Sequence, residues 1–267
     1  MSEPIFDFTP GSGPILISCP HVGTIVPDDI AACFTDAGRA IADTDWNVHR
    51  LYEAAARVLD LPMITATHAR YVIDLNRDPS GRSLYKGADN TELCPTTTFD
   101  REPIYREGCE PDILEVDTRR RRYHKPYHDK LAEVLDDIRA RHGVAILFEG
   151  HSIRSEVPRF FEGRLPDFNL GTVAGESADG ELAARVFEAL DGADGFTAVH
   201  NGRFRGGYIT RHFGRPTEGC HALQLEKAQA IYMDETPPYG YRVDLAARVE
   251  PVIRRMLETA LDWVGKR

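Results

Sequence analysis

The chain has 267 residues, of which 42% are hydrophobic and 28% charged, a composition that allows one large α/β domain or two small ones. Its net charge of −10 argues against a general affinity for nucleic acid. Five cysteines without a Cys-x-x-Cys pair argue against a disulfide framework and a cysteine-based zinc site. Because no apolar run suggests a membrane span or a signal peptide, we expect a cytoplasmic protein.

Strands and helices alternate along the chain, which predicts an α/β fold with a largely parallel sheet. In chain order we predict a strand at 14–19, helices at 28–35 and 45–59, strands at 63–67 and 71–75, a helix at 118–141, a strand at 144–149, a helix at 180–190, strands at 196–200 and 221–226, and a closing helix at 242–264.

Two long segments, 76–116 and 152–178, show no clear period and are rich in turn-forming residues. Irregular stretches of this length in a compact domain are usually functional, so we predict that both are active-site loops. The long helix between them has Asp117 as its expected N-cap and Gly143 near its C-terminal stop. Pro126 lies inside it and predicts a kink or a break.

Two histidines follow strongly apolar strands at points where the chain leaves the predicted core. His21 closes the run Pro-Ile-Leu-Ile-Ser-Cys-Pro-His, and His151 closes Val-Ala-Ile-Leu-Phe-Glu-Gly-His. Open α/β sheets bind ligands outside the carboxyl ends of their strands. The matched placement therefore indicates a shared metal site, against the simpler alternative of two hydrogen-bonded turn histidines.

A third ligand should be a carboxylate or an imidazole on a nearby turn. Asp45 is the best candidate and Asp43 its neighbour, although either could instead cap the helix that follows. His124 and His128, four residues apart on the long helix, could also share a metal. They lack the glutamate of a His-Glu-x-x-His motif, so we favour surface or substrate contacts for them.

Glu226 ends the apolar run Ala-Leu-Gln-Leu-Glu, where a partly buried carboxylate with a raised pKa can act as a general base. Glu149 competes for this role, or it orients a histidine ligand from behind. The structural alternative for either residue is a salt bridge to an arginine.

Asn76 and Arg77 follow another apolar run, and arginine binds carboxylates through two parallel hydrogen bonds. This pair is suited to capture of an anionic substrate, although Arg77 could instead tie down its own loop. Arg205 and Arg211 lie in a second basic segment, beside Gly-Gly, where the backbone can approach a ligand closely. An acidic protein with arginines in its irregular loops is predicted to bind a small anion there.

Taken together, these segments resemble the N-formylglutamate amidohydrolase (N-formylglutamate deformylase) family. The motifs that carry the resemblance, in order, are Pro-His21-Val-Gly-Thr-Ile-Val-Pro27, Asp43-Thr-Asp45-Trp, Arg70-Tyr-Val-Ile-Asp-Leu-Asn76-Arg77-Asp-Pro, Tyr123-His-Lys-Pro-Tyr-His128, Glu149-Gly-His151-Ser152, Gly206-Gly-Tyr-Ile-Thr-Arg211, His221-Ala-Leu-Gln-Leu-Glu226 and Tyr232-Met-Asp-Glu. One departure is Glu149-Gly150, where we expect an aspartate followed by a residue such as Cys or Leu.

The resemblance implies a single domain over residues 1–267, with a zinc-carboxypeptidase-like (phosphorylase/hydrolase-like) fold and a mixed, mostly parallel sheet between helices. It also implies that His21 and His151 bind zinc or another divalent transition metal. The carboxypeptidase-type His-x-x-Glu is absent because position 24 is threonine, so we assign the third ligand to Asp45.

The same resemblance implies that the Asn76-Arg77 pair binds a substrate carboxylate and that Glu226 is the base. The implied reaction is hydrolysis of N-formyl-L-glutamate to formate and L-glutamate, in the breakdown of histidine. A second carboxylate on that substrate needs another cation, for which we expect Arg205 or Arg211. The alternatives are a carboxypeptidase- or aspartoacylase-like hydrolase of another N-acyl amino acid, and a non-catalytic binding protein on the same fold.

Overall fold

A mixed sheet of seven strands forms the centre of the computed structural model, which describes residues 3–82 and 89–266. The strands are β1 (Phe6–Thr9), β2 (Ile15–Cys19), β3 (Met63–Ala66), β4 (Ala145–Ile153), β5 (Phe168–Gly171), β6 (Ala198–His200) and β7 (Cys220–Ala228). Their order is β1-β3-β2-β4-β7-β5-β6, with β3, β2, β4 and β7 parallel to one another and β1 and β5 antiparallel to their neighbours β3 and β7. The predicted mixed, mostly parallel sheet is thus confirmed.

Helices cover both faces of this sheet. They are α1 (Asp28–Ala31), α2 (Asp36–Arg39), α3 (Arg50–Val58), α4 (Ile113–Arg119), α5 (Lys125–His142), α6 (Gly180–Asp191), α7 (Tyr208–Phe213) and α8 (Val243–Val264). A π-helical turn, Arg120–His124, joins α4 to α5. Within the described residues, no helix is both long and apolar enough to cross a membrane.

The alternation of side chains along the strands produces two hydrophobic cores. In β4, Ile146 and Phe148 face the core under α3, α6 and α8, whereas Ala145 and Leu147 face the core under α5. All four side chains are fully buried. The central strands are therefore apolar on both faces, which is the pattern expected of parallel strands covered by helices on each side.

The predicted strand at 71–75 is wrong, because this segment is a buried turn. Tyr71 and Ile73 pack in the core under α5, as apolar strand residues would. The backbone instead turns through a hydrogen bond from Val72 N to Ala69 O, and Asp74 N donates to Leu93 O. The turn carries Asp74, which is fully buried, toward the histidines described below.

The predicted helix at 118–141 begins earlier than expected, with Asp112 rather than Asp117 as its N-cap. The Asp112 carboxylate accepts hydrogen bonds from the N–H groups of Leu114 and Glu115, at 3.0 and 2.8 Å. Pro126 lies in the first turn of α5, where its missing N–H is tolerated. The π-helical turn just before it takes the place of the predicted kink.

Other boundaries also differ from those predicted. The helix expected at 45–59 forms only over α3, and the one expected at 28–35 ends with α1. Strands β4 and β7 run past His151 and Glu226, so both residues lie within strands rather than after them. The sequence patterns missed β1, α2, α7 and, inside the segment 152–178, β5. Part of the segment 76–116, residues 83–88, lies outside the described residues.

Candidate metal centre and active site

Two histidines and an aspartate from separate parts of the chain converge at one edge of the sheet. His21 lies in the turn after β2, His151 lies in β4 beside it, and Asp45 precedes α3. One ligand atom from each residue lies within 4.8 Å of the others, and all three residues are buried. Asp45 is held next to His21 by a 3.0 Å hydrogen bond from its backbone N–H to His21 O.

The imidazole rings are oriented by carboxylates on their outer side. His21 Nε2 lies 2.7 Å from Asp74 Oδ1, and His151 Nε2 lies 3.2 Å from Glu149 Oε1. Carboxylates bound to the outer nitrogen are the usual arrangement for metal-ligating histidines, because they fix the tautomer and raise ligand basicity. Glu149 is thus placed to orient the His151 ring.

The other ring nitrogen of each histidine, Nδ1, faces the same oxygen atom of Asp45. Asp45 Oδ2 lies 2.9 Å from His151 Nδ1 and 3.7 Å from His21 Nδ1. Burial disfavours both charged forms, but the pairing outweighs it: the pKa of His151 is raised to about 10 and that of Asp45 is held well below its usual range. Two imidazole nitrogens and a carboxylate oxygen that converge in this way fit a divalent transition metal such as zinc.

Asp43, the alternative third ligand, makes different contacts. Its Oδ2 accepts hydrogen bonds from Tyr71 Oη at 2.5 Å and from Phe99 N at 2.8 Å. Asp43 thus joins the turn at 71–75 to the loop that carries Phe99. Of the two aspartates, only Asp45 is in the convergent group.

Arg70 is a buried cation that the sequence reasoning did not single out. Its Nη2 lies 2.7 Å from Asp74 Oδ2 and its Nη1 lies 3.6 Å from Asp45 Oδ1. It therefore offsets part of the negative charge around the histidines. The four-residue spacing of Arg70 and Asp74 in a strongly apolar run was the available signal.

Glu226 lies opposite His151 in the parallel register of β4 and β7. Burial raises the pKa of Glu226 to about 7, with the charge of His151 acting in the opposite direction. Glu149 is engaged elsewhere, since its second oxygen accepts a short hydrogen bond from Thr210 Oγ1. Glu226 lines the cavity beside the histidines, whereas Glu149 does not. The position of Glu226 and its raised pKa suit a group that must exchange a proton in this cavity.

A cavity that opens to solvent joins these residues to the candidate substrate-binding groups. Its walls include residues from both long irregular segments. The lining residues are His21, Asp45, Arg70, Asn76, Arg77, Asp89, Asn90, Phe99, His151, Ser152, Ile153, Phe160, Arg203, Phe204, Gly207, Gln224 and Glu226.

The expected substrate-binding arginines divide into two groups. Arg77 lines the cavity and also donates from Nη2 to Thr91 Oγ1 at 2.8 Å, so it ties down its loop as well. Arg205 is exposed, and Arg211 Nε donates to Gly206 O at 3.2 Å. Among the described residues the cavity wall contains neither of these two, and the basic segment contributes Arg203 instead.

Comparisons with known proteins identify the family of the chain. Residues 13–233 match the model of the N-formylglutamate amidohydrolase family. The chain belongs to this family. It is 46% identical to the N-formylglutamate deformylase of Pseudomonas aeruginosa over 99% of each chain, and 42% identical to that of Pseudomonas putida over 99% of this chain and 98% of the relative.

A solved structure supports the same assignment. The N-formylglutamate amidohydrolase from Ralstonia eutropha JMP134 superposes with a TM-score of 0.81 over 98% of both chains, at 27% identity. A protein from Agrobacterium tumefaciens shares the fold, with a TM-score of 0.73 at 16% identity, over 98% of this chain and 96% of that one. The cavity described above is therefore the candidate active site of an N-formylglutamate amidohydrolase family member.

Proposed function

We propose that the chain hydrolyses N-formyl-L-glutamate to formate and L-glutamate, with zinc as its metal, in the breakdown of histidine. The relatives named N-formylglutamate deformylase support the reaction, since they match essentially the whole chain. The observation that carries the proposal is the convergence of His21, Asp45 and His151 next to Glu226 in one cavity.

We assign the metal to His21 Nδ1, Asp45 Oδ2 and His151 Nδ1. A divalent ion held there would supply a water molecule with its pKa lowered toward neutrality and a Lewis acid for the formyl oxygen. Asp74 and Glu149 keep the two imidazoles in the orientation that this binding needs. Three protein ligands would leave a coordination position for water, as in catalytic zinc sites.

Glu226 is assigned as the general base and acid. It accepts a proton from the attacking water as the C–O bond forms at the formyl carbon. It then gives that proton to the amide nitrogen as the C–N bond breaks, so that formate and the free amine leave. Arg70, 3.6 Å from Asp45, is a buried cation placed to stabilise the negative charge that develops in this step.

The two carboxylates of the substrate need separate partners. Asn76 and Arg77, on the cavity wall, are assigned to one of them. For the other we propose Arg203 in place of Arg205 and Arg211, because Arg203 belongs to the cavity wall. Its Nε donates to Phe160 O at 2.6 Å, which fixes one end of the guanidinium.

The decisive experiment combines metal analysis of the purified protein with a formate- or acetate-release assay. The substrate panel is N-formyl-glutamate, N-acetyl-glutamate, N-formyl-aspartate and N-acetyl-aspartate. We expect one zinc per chain and the highest kcat/KM for N-formyl-glutamate. A preference for an acetyl or aspartyl substrate would favour the aspartoacylase-like alternative. A protein that binds no metal and stays inactive after zinc addition would favour the non-catalytic alternative.

A further inference from the structure

A pair of histidines outside the candidate metal centre forms a stacked unit against the Asn76-Arg77 segment. His124 ends the π-helical turn and His128 lies in the first turns of α5. Their rings stack with centroids 4.0 Å apart and planes 9° apart. His124 is buried and His128 half-buried, so neither has the exposure of a surface helix position.

Both rings bind the backbone on either side of Asn76. His128 Nε2 lies 2.8 Å from Leu75 O, and His124 Nε2 lies 3.1 Å from Arg77 O. A carbonyl oxygen can only accept a hydrogen bond, so each Nε2 must carry a proton and donate it. The two bonds therefore bracket Asn76.

The π-helical turn accounts for the direction in which this pair points. A π turn rotates the side chains that follow it relative to those before it, compared with a continuous α-helix. Such turns are frequent at functional sites. Here Arg119 donates to Tyr105 Oη at 2.7 Å, and the Tyr123 ring lies 4.8 Å from that of His68. The next residue, His124, contacts the Asn76-Arg77 segment.

A second element, α7, packs on the same unit. Ile209 N, in α7, donates to Asn76 Oδ1 at 2.8 Å, and Tyr208 N lies 3.4 Å from Asn76 O. The Tyr208 ring lies 5.5 Å from that of His128. Asn76 is thus held through its backbone neighbours by the histidine pair and through its own oxygens by α7, while its Nδ2 lies 3.1 Å from His151 Nε2.

We infer that His124 and His128 are positioning residues that hold Asn76 and Arg77 in the geometry needed to bind the substrate carboxylate. The inference rests on the proposed function, since it takes Asn76 and Arg77 as substrate-binding residues. Neither histidine lines the cavity, so the pair acts through the backbone of 75–77 rather than by touching substrate.

The test compares His124→Phe and His128→Phe, which keep a ring but remove the donor, with His124→Gln and His128→Gln, whose amide can donate from a similar place. His142→Phe is the matched control, because His142 also lies on α5 and binds a backbone carbonyl, Ser12 O at 2.8 Å, in an exposed position. Zinc content, thermal unfolding, kcat and KM are measured for each, together with amide hydrogen exchange of residues 207–213.

We expect each Phe variant at 124 or 128 to raise KM about tenfold or more, while kcat stays within about threefold and zinc stays at the wild-type level. Exchange at Tyr208 and Ile209 should accelerate in the same variants. The Gln variants should recover most of the KM, and His142→Phe should match the wild type.

Two results would overturn the inference: wild-type KM and exchange in the Phe variants, or equal defects in the Phe and Gln variants. These outcomes are separate from failure of the proposed function. That failure would be a wild-type protein inactive on N-formyl-glutamate, in which case the hydrogen-exchange comparison alone decides whether the histidines hold the segment.

Discussion

At the scale of single residues, the chemistry of the candidate site depends on the separate roles of four buried carboxylates. Asp45, Asp74, Glu149 and Glu226 are all buried within the same edge of the sheet. Three of them contact an imidazole within 3.2 Å. Glu226 is distinguished by its place on the cavity wall opposite His151 and by a pKa raised to about 7.

The Glu226→Gln substitution tests its role as the base. Glutamine keeps the shape of the side chain but cannot accept and return a proton, so kcat should fall by about 10²–10⁴-fold. Zinc content should not change, because Glu226 is not among the three convergent ligand residues. Turnover close to the wild-type value, with zinc bound, would show that another group moves the proton.

The Gly207→Ala substitution tests whether the position of the Asn76 carboxamide matters for substrate binding. A Cβ at this glycine would overlap the Asn76 side chain, although the backbone φ of −82° suits any residue. Gly207→Ala should therefore displace Asn76 and raise KM for N-formyl-glutamate about tenfold, with a smaller effect on kcat. The control is Gly180→Ala, since a Cβ there meets nothing within 4 Å. Equal KM values in both variants would mean that Asn76 does not bind substrate.

At the scale of elements, sequence patterns predicted the central strands well and the turns poorly. The apolar runs of β2, β4 and β7 are continuous because these strands are buried on both faces. The sequence at 71–75 is as apolar as those strands, because Tyr71 and Ile73 are also buried. What distinguishes the turn is the pair of bonds that Asp74 makes to residues distant in sequence, His21 and Leu93, which no local pattern contains.

The same limit applies to the candidate site. His21, His151 and Glu226 could be selected from the sequence because each accompanies a strongly apolar strand. Arg203 could not, because its place at the cavity follows from a contact distant in sequence. For Arg70 the local signal was its four-residue spacing from Asp74, whereas its place beside Asp45 follows from the fold. The choice between Asp43 and Asp45 likewise depended on which carboxylate the fold turns toward the histidines.

The start of α4 provides an element-scale prediction. Asp112 caps two N–H groups, so Asp112→Ala should lower the free energy of unfolding by about 1 kcal/mol, measured by urea denaturation. Asp117→Ala is the comparison, because Asp117 forms only partly exposed ion pairs with Arg120 and Arg121, which contribute little. A larger decrease in the free energy of unfolding for Asp117→Ala than for Asp112→Ala would contradict Asp112 as the N-cap and favour Asp117.

At the scale of the whole molecule, the sheet order explains how residues so distant in sequence meet. β2, β4 and β7 are consecutive neighbours and all parallel, so their carboxyl ends lie together. The turn after β2 delivers His21, while β4 and β7 deliver His151 and Glu226 in matched register. Helices pack on both faces, which leaves this edge, with its loops, as the place where polar groups can be concentrated.

That concentration would make the stability of the whole molecule depend on a metal bound at the proposed site. Asp45 and Asp74 are buried and ionised, with pKa values held low against burial by the histidines and, for Asp74, by Arg77 and Arg70 as well. A cation bound between His21, Asp45 and His151 would offset this negative charge. A cation that binds only the folded chain would stabilise that state by mass action, by about 2.7 kcal/mol at a hundredfold excess over Kd.

We therefore expect chelation to lower the Tm by roughly 5–10 °C and zinc to restore it, as followed by calorimetry at several zinc concentrations. Asp45→Asn should abolish the zinc-dependent shift. Asp43→Asn should keep it, although its basal Tm should fall because the bonds from Tyr71 and Phe99 are weakened. A zinc-dependent shift that survives in Asp45→Asn and disappears in Asp43→Asn would transfer the third ligand to Asp43. If zinc leaves the Tm of every variant and of the wild type unchanged, the convergent histidines are not a metal site.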